Sequence, residues 1–315
     1  YFYSYLTQAA SSPLLNRPVQ QELAPGSTFK IVSSVAGLEE GVIAPGTVIY
    51  DKVKFTHINP SPRCWKKAGH GSLRVSTAIE ASCNYFFYTV GFRLGYGNEK
   101  KNTVSDKKGL ARLKKYADMF GLTEKSGVEL SEINPKFSKT DVVRSAIGQA
   151  THAYTPSQIA RYVTTVANSG TCYDLTLLKK VVDINGKTVL KNKAKVRNKV
   201  SISSTTWDNI HQGMYLVANG PNSAERGMYS SLDVKVAGKT GTAQLNAYHA
   251  NNAYFMSYAP YENPEISVTC VIPNGYSSAN AAQIARDVYK YYFDKDKKKV
   301  SGKVKMPEVS TNQVD

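Results

Sequence analysis

The tetrapeptide Ser27-Thr28-Phe29-Lys30 constrains this chain more than any other feature. Pro25 and Gly26 before it suit a turn, and the run from Ser27 to Leu38 reads as a helix that begins at Ser27. Residues three apart on a helix share a face, so the hydroxyl and the amine are neighbours. A serine hydroxyl becomes a nucleophile only when a nearby base takes its proton. Lys30 can do this if burial or neighbouring cations hold its amine neutral. A helix start also offers free backbone N–H groups to a developing oxyanion. A Ser and a Lys three apart occur by chance in many helices, so the pair alone decides little.

Two later motifs add weight. Ser82-Cys83-Asn84 follows a helical stretch from Leu73 to Ala81, and Lys239-Thr240-Gly241-Thr242 ends an apolar alternating run from Val234. The pattern S-x-x-K, then S-x-N, then K-T-G is a set used together in serine acyl-transfer enzymes. Three coincidental surface motifs would have no reason to appear in that order.

A chain of 315 residues is enough for one large domain or two small ones, and 42% hydrophobic residues support a core. No segment approaches the roughly 20 apolar residues that span a bilayer. No signal peptide opens the chain, and the abrupt start at Tyr1-Phe2-Tyr3 reads as a piece of a longer protein. Net charge is +16, with lysines clustered at Lys191–Lys199 and Lys295–Lys305. Such charge favours nucleic acid, acidic lipid or a polyanionic wall polymer, or simply solubility. No nucleic-acid module accompanies it, and the 21 tyrosines are scattered, so no nucleic-acid partner is expected.

Residues 1–26 read as irregular, and Asp51 to Gly71 as a long loop with little periodicity. Helices are expected over Val75–Tyr88, Lys108–Phe120, Thr155–Ala167, Ser204–Val217 and Ala281–Phe293. Strands are expected over Val234–Ala237, Ala253–Tyr258 and Ile266–Ile272, with Leu245–Asn252 and Glu262-Asn263-Pro264 as connections. This order predicts a mixed α/β or α+β domain. The tail from Asp294 is expected to be exposed and mobile.

At this point the chain resembles the transpeptidase domain of a class B penicillin-binding protein, of the elongation (penicillin-binding protein two) or sporulation type. The likeness extends to Pro13-Leu14-Leu15-Asn16-Arg17, Asn84-Tyr85-Phe86-Phe87-Tyr88, Ile147-Gly148-Gln149, Thr155-Pro156-Ser157-Gln158, Ala237–Gln244 and Tyr258-Ala259-Pro260. It implies an antiparallel sheet flanked by helices, with a helical subdomain over about residues 50–155 and a basic tail over 295–315, in one transpeptidase domain spanning 1–315. Two sheet strands, a pedestal and a membrane anchor would precede this region in the family. The second motif departs from the usual Ser-Asp-Asn.

The resemblance implies that Ser27 attacks the penultimate D-alanine carbonyl of a peptidoglycan stem peptide and forms an acyl-enzyme, and that β-lactams inhibit it by acylating the same hydroxyl. Lys30 would take the serine proton, Ser82 would pass a proton to the leaving D-alanine, and Asn84 would hold a substrate amide. Lys239 would lend positive charge near Ser82. Thr240 and Thr242, on one side of a strand, would bind the terminal carboxylate, and Gly241 would permit close approach. The N–H groups of Ser27 and Thr242 would form the oxyanion hole. It also implies a membrane glycosyltransferase partner, reached through absent regions, and a place on the outer face of the cell membrane. The alternatives are a serine β-lactamase and a β-lactam-sensing receptor domain. A lactamase needs a dedicated base for water, and no acidic residue stands in a motif assignable to that task.

Asp51, Cys64, His70 and Cys83 are separated by twelve, five and twelve residues. One carboxylate, one imidazole and two thiolates suit tetrahedral zinc, which would pin the loop to the second motif. Some elongation-type members of the family resemble this in carrying an Asp/His/Cys zinc site there. A Cys64–Cys83 disulfide, two free thiols, or His57 in place of one ligand are the other readings. Acyl transfer itself would require no cofactor. Cys270 is expected to pack as a small hydrophobe, and Cys172 has no assigned role.

Overall fold

The computed structural model describes residues 4–6, 12–96, 104–243 and 250–294. The expected basic tail, most of the Leu245–Asn252 connection and Gln244 lie outside the described residues.

A short helix α1 (Arg17–Gln20) leads to a 3₁₀ turn (Gly26–Phe29) that runs directly into α2 (Lys30–Glu39). The expected helix from Ser27 therefore opens with a tighter turn. Every residue of α2 from Lys30 to Gly37 is buried. A helix covered on all sides is a central element rather than a surface one, so Lys30 stands on a buried helix and Ser27 on the turn that opens it.

The long loop is clasped at its neck. Strands β1 (Ile49–Asp51) and β2 (Gly71–Leu73) pair antiparallel, with Asp51 opposite Gly71. Lys54 and Arg63 form a further bridge inside the loop.

The single helix expected over Val75–Tyr88 is two helices, α3 (Val75–Glu80) and α4 (Asn84–Gly95). They break at Ser82, whose φ of +50° no helix accommodates. Cys83 then caps α4, its Sγ accepting the Phe86 N–H at 3.4 Å. Apolar periodicity runs through the break because both helices face the same core, which hid it from the sequence.

Helices α5 (Asp106–Met119), α6 (Val142–Ser145) and α7 (Pro156–Ala167) follow. Thr155 caps α7 through a reciprocal pair with Gln158. Two small antiparallel pairs come next: β3 (Thr171–Tyr173) with β6 (Val196–Lys199), and β4 (Lys180–Val182) with β5 (Thr188–Lys191). The sequence reading missed them; β4 and β5 are exposed throughout and carry no burial alternation to detect.

After α8 (Ser204–Asn219) comes the main sheet among the described residues, ordered β7 (Ala237–Ala243), β8 (Asn252–Ala259), β9 (Ile266–Ile272), all antiparallel. The third motif lies within β7 and not at the end of a Val234–Ala237 strand as expected. Strand β8 is buried at all eight positions, whereas β9 is half-buried throughout, Cys270 included. Helix α9 (Ser278–Phe293) lays Ala281, Ala282, Ala285 and Tyr289 toward the core, and Tyr289 donates to Ser257 Oγ on β8 at 2.8 Å.

Candidate active site and metal cluster

Ser27 sits in the 3₁₀ turn, half-buried, one residue after Gly26. Gly26 has φ +53° and donates its N–H to Gly148 O at 3.0 Å. A Cβ on Gly148 would stand 2.0 Å from Gly26 O, so the loop after α6 can press against the nucleophile turn only as glycine.

From the other side comes edge strand β7. A Cβ on Gly241 would lie 2.9 Å from Thr28 Cγ2 and 3.1 Å from Pro25 O. Gly241 thus lets the strand abut the turn that carries Ser27. Thr240 and Thr242 line the same cleft as Ser27, and Lys239 is fully buried.

The three motifs meet at Ser82. Lys30 Nζ donates to Ser82 O at 2.7 Å, to Ser82 Oγ at 3.2 Å and to Asn84 Oδ1 at 2.7 Å. Lys239 Nζ donates to Ser82 Oγ at 3.0 Å and to Thr240 O at 3.0 Å. The strained backbone at Ser82, worth on the order of 1–3 kcal/mol, turns its hydroxyl and carbonyl toward these two amines.

Two buried ammonium groups on one hydroxyl repel each other. Burial pushes Lys30 down to about 8, against the pull of the Cys83 and Cys64 thiols. Burial and then the charge of Lys30 push Lys239 well below the ordinary lysine range, with Glu225 opposing. Near neutral pH the pair can therefore shed one proton, and Ser82 Oγ is the group within hydrogen-bond distance of both amines.

The cleft has a volume of about 1130 Å³. Its walls include residues the sequence reading passed over. Trp65 donates its indole N–H to Ser82 O at 3.1 Å. Glu80 accepts from Asn222 N at 2.9 Å. Glu225 is buried beside the cleft, and burial raises its carboxyl above the usual range despite Lys239. None of these carries a motif; only the folded chain brings them to the site.

Asp51, Cys64, His70 and Cys83 converge at the neck of the loop, their ligand atoms all within 4.8 Å of one another. Cys64 Sγ lies 3.9 Å from Cys83 Sγ and 3.5 Å from His70 Nδ1. Asp51 Oδ2 lies 3.4 Å from Cys83 Sγ and 2.8 Å from His70 Nδ1. Zinc with bonds of about 2.3 Å to sulfur and about 2.0–2.1 Å to nitrogen or oxygen sets tetrahedral edges of roughly 3.8 Å for S–S and roughly 3.5 Å for S–N and S–O. The Cys64–Cys83, Cys64–His70 and Cys83–Asp51 spacings fit that solid, and the Asp51–His70 edge is shorter. Both cysteines are free, so the alternative disulfide is not formed. His57 stands apart, packed between Phe55 and Phe92.

Burial would lower the His70 imidazole, but hydrogen bonds to Cys64 and Asp51 outweigh it and favour the protonated ring. The hydrogen bond with Cys83 holds Cys64 as thiolate, down to about 5, and the same bond followed by burial keeps Cys83 protonated. Burial would raise Asp51, but hydrogen bonds from His70 and the Val53 N–H outweigh it. His70 Nε2 is buried without a partner among the described residues, so Nδ1 is the ring atom turned to the cluster.

The chain matches known proteins over most of its length. The family model described as the penicillin binding protein transpeptidase domain matches residues 3–290. The chain is 29% identical to the peptidoglycan D,D-transpeptidase MrdA of Haemophilus influenzae, over 93% of this chain and 48% of that protein. It is similar to Pseudomonas aeruginosa PBP2 in complex with WCK 5153, at TM-score 0.78 and 25% identity, covering 92% of this chain and 66% of that one. It is also similar to a chain of a peptidoglycan synthase complex that coordinates polymerization and crosslinking, at TM-score 0.78 and 26% identity, covering 97% and 51%. The chain spans about half the length of the curated relatives it matches.

Proposed function

This chain belongs to the penicillin-binding protein transpeptidase family, in its class B, MrdA-like branch, and from that premise we propose that it is a serine D,D-transpeptidase that cross-links peptidoglycan stem peptides and is acylated by β-lactams. The observation that carries the reading is the meeting of Lys30 and Lys239 on one Ser82 hydroxyl, in the cleft that Ser27 also lines.

The neutral amine of Lys30 takes the Ser27 proton as Oγ attacks the penultimate D-alanine carbonyl. The N–H groups of Ser27 and Thr242 are assigned to the oxyanion. The C–N bond breaks, and the leaving D-alanine amine takes a proton relayed through Ser82 from the lysine pair. Thr240 and Thr242 receive the terminal carboxylate, whose negative charge favours the protonated form of Lys239 beside them and leaves Lys30 as the neutral partner, and Asn84 holds a substrate amide. An acceptor amine from a neighbouring strand then attacks the ester, loses its proton to the same relay, and restores Ser27. Penicillin follows the first half of this route and stops at the ester.

Zinc fits the Asp51, Cys64, His70 and Cys83 donors. When bound it supplies the positive charge that keeps both thiols ionised and closes the shell with four protein ligands. These residues hold the neck of the loop against Ser82 and Asn84, which borders the reacting groups; no step of acyl transfer needs a cofactor. Residues 50–155 act as the helical subdomain that carries this loop. A membrane glycosyltransferase is the natural partner, in keeping with the likeness to a chain of a synthase complex that coordinates polymerization and crosslinking, and the substrate puts the reaction at the outer face of the cell membrane. No helix among the described residues is long and apolar enough to cross a membrane.

A β-lactamase reading draws on one observation, the Glu225 carboxylate beside the cleft. A lactamase needs such a group to activate water against the ester. Nitrocefin separates the two: slow, stoichiometric acylation supports the transpeptidase, and rapid repeated turnover supports the lactamase.

A further inference from the structure

Trp65 is 61% exposed, yet it is held in place. Its indole N–H is bound to Ser82 O at 3.1 Å, the carbonyl that also accepts from Lys30 at 2.7 Å. Its ring meets His70 edge-on with centroids 5.0 Å apart, and its chain neighbour Cys64 belongs to the donor cluster. An exposed aromatic fixed from three sides presents a large, rigid apolar face at low entropic cost.

Arg63 and Lys66 flank it, exposed and lining the same cleft. Neither is paired with a carboxylate among the described residues. Arg144, on the same cleft, is tied to Asp141 instead. Two unpaired cations around a fixed indole form a surface for an anion attached to an aliphatic chain. That anion is not the substrate's terminal carboxylate, which the proposed mechanism assigns to Thr240 and Thr242 on β7.

We propose that Arg63, Trp65 and Lys66 form a subsite for the donor stem peptide, in which an aliphatic stretch lies on the indole face and a second carboxylate, upstream of the reacting D-alanines, meets the two cations. The subsite rests on the transpeptidase reading. Contacts remote from the reacting carbonyl supply binding energy that orients it. Because Trp65 is bonded to Ser82 O, the ring that receives the peptide is also fixed relative to the proton relay.

Two donor probes test this: acyl-D-Ala thioesters identical except that one bears a glutamate-type carboxylate upstream and the other its carboxamide. Acylation of Ser27 is followed by intact mass. The wild type should prefer the carboxylate probe, and 0.5 M salt should weaken the preference, since screened surface charges lose attraction. Arg63→Gln with Lys66→Gln should lower the preference ratio about tenfold, the equivalent of about 1.4 kcal/mol. Trp65→Ala should slow both probes, with Trp65→Phe recovering part of the rate. Unchanged thermal unfolding and metal content in these variants exclude a general structural effect. A preference ratio that the double variant leaves unchanged, with penicillin still acylating Ser27, overturns the subsite alone. Failure of penicillin and both probes to acylate the wild type removes the underlying reading and the subsite with it.

Discussion

Lys239 donates to the Ser82 hydroxyl at 3.0 Å although 157 residues separate them. The contact joins edge strand β7 to the break between α3 and α4, and Lys30 approaches the same oxygen at 3.2 Å. The two lysines thus bring two cationic groups to one hydroxyl, and burial lowers the proton affinity of both.

Ser82 has two duties that substitution can separate. Ser82→Ala and Ser82→Gly both remove the hydroxyl between the amines, and acylation by penicillin should fall by roughly 10²–10⁴-fold in each, the usual scale for losing a proton-transfer group. The positive φ is what separates the two variants in stability. Glycine takes φ +50° without steric cost, so Ser82→Gly should be more stable to denaturant than Ser82→Ala, by about 1 kcal/mol of unfolding free energy. Equal stability of the two would remove the strain argument.

Acylation should rise with pH through about 8, where burial has placed Lys30. The stability consequence has the same cause. The folded value lies below the ordinary 10.5, so the unfolded chain holds the lysine proton over that interval. Stability from this group should therefore rise between about pH 8 and 10.5, and the cost of burying the ammonium should be fully felt below pH 8. Pre-steady-state acylation and denaturant midpoints across this range measure both, with Lys30→Met as the control that should flatten the stability trend.

Gly241→Ala tests the close approach of β7 to the nucleophile turn. The added methyl meets Thr28, Tyr254 and Pro25 at 2.9–3.1 Å, so the strand must retreat by a few tenths of an ångström. Misplacement on the ångström scale can cost about 10²-fold. We expect a large fall in kcat/KM with the sheet still folded, read by stopped-flow acylation and circular dichroism.

Elemental analysis of protein purified without chelator should find one zinc per chain. Cobalt substitution should produce thiolate charge-transfer bands, and Cys64→Ser should weaken them. Chelation or His70→Ala should lower Tm, on the order of 5–10 °C, because metal binding is coupled to folding. Metal-free protein with an unchanged Tm would refute the zinc assignment.

The residues of the site were legible before the fold was. Ser27, Lys30, Ser82, Asn84 and Lys239 each stand in a motif whose chemistry fixes residue type; the last four meet through hydrogen bonds, and Ser27 lines the same cleft as Ser82 and Asn84. Asp51, Cys64, His70 and Cys83 were legible by donor chemistry alone, and they too converge. Apolar periodicity located α2, α7, α8, α9, β8 and β9 because each buries a face. It could not locate the break at Ser82, where a tertiary requirement overrides a continuous helical pattern, or β4 and β5, which bury nothing. Trp65 and Glu225 reach the cleft only through long-range folding, and local pattern carries no trace of that.

The central claim is that Ser27 is the nucleophile. Intact-protein mass spectrometry after penicillin treatment tests it most directly. We predict a single penicilloyl adduct per chain, mapped to Ser27, persisting for many minutes and lost in a folded Ser27→Ala variant. An adduct that survives in Ser27→Ala, or no adduct on the wild type, would contradict the account.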